Sequence, residues 1–198
     1  MSSLQTTELV PELRAHVTRL RELASAAEEL LAGLSLEQLR WKPGPDRWSV
    51  AEVLGHVNSV NRQYLDYCDE QIRRGREQGK LSDGPFHYGR LETWFVDQLE
   101  PSAKRRLKAP GAFAPARSDA SGSEPAELKS GLDRLQQAIV SANGLDLARI
   151  KVRSPVSALL RFRLGAAFRL MVAHTDRHLL QATSVTETAG FPPSGDDS

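Results

Sequence analysis

Cysteine is all but missing from this chain. Cys68 stands alone among 198 residues, so no internal disulfide framework is available and nothing points to an oxidising compartment. An excess of either charge is missing too, since 26 basic residues face 25 acidic ones for a net charge of +1. A duplex-DNA binder normally carries a clear basic surplus, so no nucleic-acid partner is expected. No apolar run approaches the ~20 residues that cross a bilayer, and no membrane partner is expected either. The opening MSSLQTTELVPELR has neither the charged nor the apolar region of a signal peptide. Internal repeats and a convincing strand alternation are also lacking. LARIKVR is the one strand candidate, and a single short strand has nothing to pair with. What the chain does have is 40% hydrophobic residues. A domain of this length buries about 70% of its unfolded surface. The expectation is one cytoplasmic domain over 1–190, interrupted by an irregular insertion at 79–124 and followed by a disordered tail at 191–198.

The apolar residues recur at helical spacing. Val10, Leu13, Val17, Leu20, Ala24, Ala27 and Leu31 step by three and four, which is one face of a helix that Gly33 can end. Ser35 and Gln38 have the spacing of a capping box for a single further turn. The prolines and glycine between Trp41 and Trp48 make a stiff connector. Ser49 then caps a second long helix, with Glu52 completing a capping box and Trp48 facing Val53 as a hydrophobic staple. Its inner stripe is Val50, Val53, Val57, Val60, Tyr64 and Ile72, and fraying is expected near Gly75. Prolines break up residues 79–124, apart from a short helix around Leu91 to Leu99. A third helix spans Glu127 to about Asn143, and a fourth spans Leu164 to Val185 with Ala167, Met171, His174, His178, Gln181 and Val185 along its inner line. Four helices with apolar stripes predict an all-α four-helix bundle. The long connection between the second and third helices leaves room for a crossover, so up-down-up-down order is not assumed.

His174 and His178 lie four residues apart, which stacks two imidazoles on one helix face with Cβ atoms ~5–6 Å apart. Two imidazoles so placed can bind one metal ion. His56, on the inner side of the second helix, is the natural third ligand. Three nitrogen ligands leave coordination positions open, which is the catalytic pattern rather than the structural one. The same spacing is equally compatible with three separate core histidines bonded to backbone or carboxylates.

The run Trp41-x-Pro-x-Pro-x-x-Trp48-Ser49-Val50-Ala51-Glu52-Val53-Leu54-Gly55-His56, followed much later by His174-x-x-x-His178-x-x-Gln181-Ala182, resembles the DinB-like superfamily. That group includes the YfiT-type proteins, regarded as metalloenzymes, and thiol-dependent S-transferases and isomerases. The resemblance covers most of residues 8–186. It implies a four-helix bundle whose three histidines, here His56, His174 and His178, hold a divalent metal, nickel or zinc. It also implies a homodimer. The proline-rich stretch from Pro85 to Pro125 departs from the compact family pattern. The implied function is a metal-dependent hydrolase or a transferase using a low-molecular-weight thiol as cosubstrate of a small-molecule reaction. The alternative is a non-catalytic bundle that binds metal or a small ligand.

Other residues have a functional and a plain reading. Gln181, one turn past His178, can orient a ligand or complete an inner polar patch. Glu52 can accept from the second ring nitrogen of His56, although its capping role competes for the same carboxylate. His87 belongs to the irregular segment, His16 is expected on the surface, and Cys68 reads as a small core residue. Lys104, Arg105, Arg106 and Lys108 form a basic run. With Arg161, Arg163 and Arg169 they can attract the carboxylates of an anionic cosubstrate, if the fold brings them together.

Overall fold

The computed structural model describes residues 9–100, 121–155 and 157–193. The first long helix, α1 (Pro11–Leu31), opens on a proline, where the missing N–H has no helical partner to lose. It buries Leu13, Val17, Leu20, Leu23 and Ala27. The short α2 (Leu36–Arg40) opens on the expected capping box, with the Ser35 Oγ accepting from the Gln38 N–H at 3.2 Å and the Gln38 Oε1 accepting from the Ser35 N–H at 2.9 Å.

The longest helix, α3 (Val50–Glu77), starts on the second box, with Ser49 Oγ to Glu52 N at 3.2 Å and Ser49 N to Glu52 Oε2 at 2.8 Å. It does not fray at Gly75. A side chain there would run into Ile150, so the glycine admits a close packing neighbour inside a helix that continues to Glu77.

Within the segment expected to be irregular, a short helix forms where one is anticipated, α4 (Arg90–Asp97). The basic run Lys104–Lys108 lies outside the described residues. The third long helix, α5 (Glu124–Ser141), begins on Glu124 rather than Glu127, because Pro125 at the first turn favours a helix start. The last helix is α6 (Leu164–Thr186). Helix α1 packs against α5 and α6, and α3 packs against the same two, so the four long helices enclose one core.

The all-α expectation needs correction. LARIKVR does find a partner, because β1 (Lys151–Ser154) pairs antiparallel with β2 (Ser157–Arg163). Val152 faces Phe162 across the ladder and both are buried, while Lys151, Arg153 and Arg161 of the other face are exposed. This is the period-2 pattern of a half-buried strand, broken in the sequence by Pro155 and a register shift after Arg153. The fold is therefore mostly helical with a small two-stranded sheet. Phe162 sits 6.5 Å from Tyr64 and 5.4 Å from Phe95, ring centre to ring centre, which ties α3, the hairpin and α4 into the same core.

The described part of the 79–124 insertion is strapped down. Tyr88 Oη donates to Glu12 Oε1 of α1 at 2.5 Å, and Gly165 makes this possible, because any side chain there would occupy the place of the phenol. Glu92 accepts from the Arg163 backbone N–H at 2.6 Å and pairs with its guanidinium. Asp97, 2.7 Å from Arg169, and Glu100 hold the Arg169 guanidinium. His16 also departs from expectation. Its side chain is only 13% exposed and its Nε2 lies 3.9 Å from Glu12 Oε1. Residues 194–198 of the expected tail lie outside the described residues, but Phe191 meets Trp41 edge-on at 5.5 Å and Pro192 accepts from Gln38 at 2.9 Å.

Candidate metal centre

Two helices bring the three histidines together. The capping box fixes where α3 begins, so His56 falls two turns in, on the side that packs against α6. His174 and His178 stack one turn apart on α6 and face it. One ring nitrogen from each of His56, His174 and His178 lies within 4.8 Å of the others. The ring centres are 4.4–5.0 Å apart, and the Nε2 atoms of His56 and His174 are 3.1 Å apart. His56 and His174 are buried, and His178 is half-buried at the open side.

The donor set fits a divalent ion. Two nitrogens bound at about 2.0–2.1 Å to one ion, at right to tetrahedral angles, sit about 2.8–3.4 Å apart, and the His56–His174 separation of 3.1 Å falls in that range. Burial, followed by the neighbouring His178 and His56 and by Arg177, holds the His174 imidazole well below its ordinary pKa. Burial also pulls His178 down to about 4, with His56 and Arg177 adding to the effect and the Gln181 hydrogen bond opposing it. Both rings are therefore neutral at neutral pH, and each offers one lone pair beside its one N–H. Neutral imidazoles converging on one point repel unless a proton or a cation lies between them, and an ion serves all three at once.

A neighbour on the same helix fixes one of the rings. His178 Nδ1 is 2.9 Å from Gln181 Oε1, and this bond puts the proton on Nδ1 and leaves Nε2 as the free donor atom. Gln181 thus touches His178 directly. Glu52 behaves as its capping role requires. One oxygen takes the Ser49 N–H and the other lies 3.0 Å from the Lys42 ammonium.

Trp48 is the residue that sequence reasoning undervalued. Read there as a staple alone, it also lies nearly parallel to His178, 16° between planes and 6.2 Å between centres, and 5.2 Å from His56. It walls the site on the half-buried side. Its position immediately before the Ser49 cap and two turns from His56 was the available signal. A buried pair close by, Asn61 Nδ2 to Thr175 Oγ1 at 3.1 Å, ties α3 to α6 beside His174.

Other candidates lie elsewhere. His87 is exposed ahead of α4 and is not part of the cluster. Cys68 is fully buried and burial pushes its thiol far up, which makes it a core residue and a poor nucleophile. Arg163 and Arg169 do not converge on the histidines to greet a carboxylate, because Glu92, Asp97 and Glu100 of the α4 segment already hold them.

Comparison with known proteins agrees with the residues. The family model of the DinB superfamily matches residues 19–182. A protein of Bacillus subtilis (strain 168), YuaE, itself described as uncharacterized, is 29% identical over 158 residues, covering 79% of this chain and 88% of its own length. No solved structure matches.

Proposed function

This chain belongs to the DinB superfamily, and from that premise we propose that it is a cytoplasmic metal-dependent enzyme. In this reading, a four-helix frame of α1, α3, α5 and α6 holds nickel or zinc on His56, His174 and His178. The observation that carries the proposal is the convergence of three imidazole nitrogens within 4.8 Å, two of them on rings that burial keeps neutral. When bound, a divalent ion supplies Lewis acidity to a group of a small-molecule substrate, the chemistry common to hydrolysis and to thiol transfer.

The chain's own residues do the positioning. Gln181 holds the His178 tautomer. Trp48 excludes water from one side of His178 and His56. Helix α6 sets the two histidines one turn apart. A homodimer, as the family resemblance implies, is part of the same proposal.

The second reading is a bundle that binds metal without catalysing a reaction. One observation favours it: the described cluster holds three histidines and no carboxylate that would move a proton.

The test is elemental analysis of untagged protein beside His56→Ala and His178→Ala. One equivalent of a divalent transition metal in the wild type, lost in both variants, is expected. Wild-type protein that stays metal-free after incubation with zinc and nickel at neutral pH refutes both readings. Azide or a small thiol added to the cobalt-substituted protein separates them, because only an open coordination position changes the visible spectrum.

A further inference from the structure

The β1–β2 hairpin carries a charge pattern that its own stability opposes. The register sets Lys151 opposite Arg163 and Arg153 opposite Arg161. Two like-charged pairs thus face each other directly, at the Cβ separation of roughly 4.5–5.5 Å where such pairs destabilise an antiparallel ladder. Arg163 is compensated by Glu92. Among the described residues, Lys151, Arg153 and Arg161 have no ion-pair partner, and Arg153 only leans over the Tyr67 ring at 5.8 Å. All three are exposed. In a chain whose net charge is +1, this is a local concentration of one sign.

The same face ends in an apolar tip. Leu159 is 96% exposed, more than any other large hydrophobic residue described, and it stands two residues from Arg161 on the outward side of β2. Leu159 and the half-buried Leu160 stand directly before Arg161 in the chain. A projecting apolar tip ringed by cations fits a surface that is anionic outside and apolar beneath. It does not suit nucleic acid, because the Tyr67 ring beside this face is covered by Arg153 rather than offered for base stacking. A second copy of the same face would meet it charge against charge.

We propose that the outer face of the β1–β2 hairpin docks on an anionic phospholipid surface, with Leu159 entering the interface and Lys151, Arg153 and Arg161 meeting the headgroups. No helix among the described residues is long and apolar enough to cross a membrane, and peripheral contact needs none. The hairpin is separate from the histidine cluster, so the proposal does not depend on the metal reading.

Arg161→Glu makes a decisive variant. It faces Arg153, so it converts a like-charge pair into an opposite one. The hairpin should fold as well as before or better, with an unchanged or raised Tm, while the surface loses two units of positive charge. Leu159→Asp is the second variant, at a site too exposed to matter for folding.

The full chain is sedimented with vesicles of phosphatidylcholine alone and with vesicles containing about 30 mol% phosphatidylserine. The wild type should pellet with the anionic vesicles at least about ten-fold more than with neutral ones, and less as salt rises. Both variants should lose most of that fraction while keeping their Tm. Equal binding to neutral vesicles, no binding to anionic ones, or an unchanged Arg161→Glu would each overturn the proposal. Capture by polyglutamate or single-stranded RNA at the same salt, with no vesicle binding, would overturn it in favour of another polyanion.

Discussion

Removing metal should make the folded protein acid-sensitive in a narrow window. Burial and His56 depress the His178 imidazole from 6.5 to about 4. The unfolded chain therefore takes up a proton near pH 6.5, and the native state does not until pH falls to about 4. Between those values the unfolded state binds more protons, so stability rises with pH through the window and levels off above it. At pH 5 the difference amounts to about 2 kcal/mol for His178 alone, rising towards about 3 kcal/mol at pH 4. His174, shifted in the same direction and for the same reason, adds to the loss. The assay is urea unfolding of chelator-treated protein at pH 7.5 and pH 5, beside His178→Asn. The wild type should lose at least about 2 kcal/mol more than the variant on acidification. Parallel losses in the two proteins would refute the claim that His178 is held neutral by its surroundings. Adding back zinc at pH 7.5 should stabilise the wild type in proportion to the logarithm of free metal and leave the variant nearly unmoved.

Further outcomes follow from the same geometry. Gln181→Leu should weaken metal binding about 10–100-fold by freeing the His178 tautomer, and Gln181→Glu should retain it, as measured by competition with a chromophoric chelator. Nickel or copper should quench tryptophan emission in the wild type and far less in Trp48→Phe, since Trp48 is the indole against two of the imidazoles. Gly165→Ala should cost about 1–3 kcal/mol, because the new methyl displaces the Tyr88 phenol from Glu12. Hydrogen exchange should show the loosening concentrated between Phe86 and Val96. Phe162→Ala should cost about 3–5 kcal/mol by thermal or urea unfolding, because it empties the junction of α3, α4 and the hairpin.

Local interactions made much of the fold legible in advance. Ser35 with Gln38 and Ser49 with Glu52 are three residues apart, and both capping boxes form as read. The i,i+4 pair His174 and His178 needed only a helix to become neighbours. Apolar spacing placed the inner stripes of α1, α3 and α6, and each stripe is buried along most of its length, with Ala24 and Leu31 of α1 and His178 and Gln181 of α6 only half-buried.

What the tertiary structure decided is everything that depends on residues far apart in the chain meeting. His56 and His174 are 118 residues apart, and their approach follows from how α3 packs on α6 rather than from either helix. The hairpin was hidden because a strand is defined by its partner, and the register of β1 against β2 is broken after Arg153. The choice of Arg163 and Arg169 for the acids of the α4 segment, over a cosubstrate, could not be read from sequence. A charge has no preferred partner until the chain brings one within a few ångströms. Capping and periodicity belong to the residues themselves, and coordination, pairing and charge compensation belong to the packed chain.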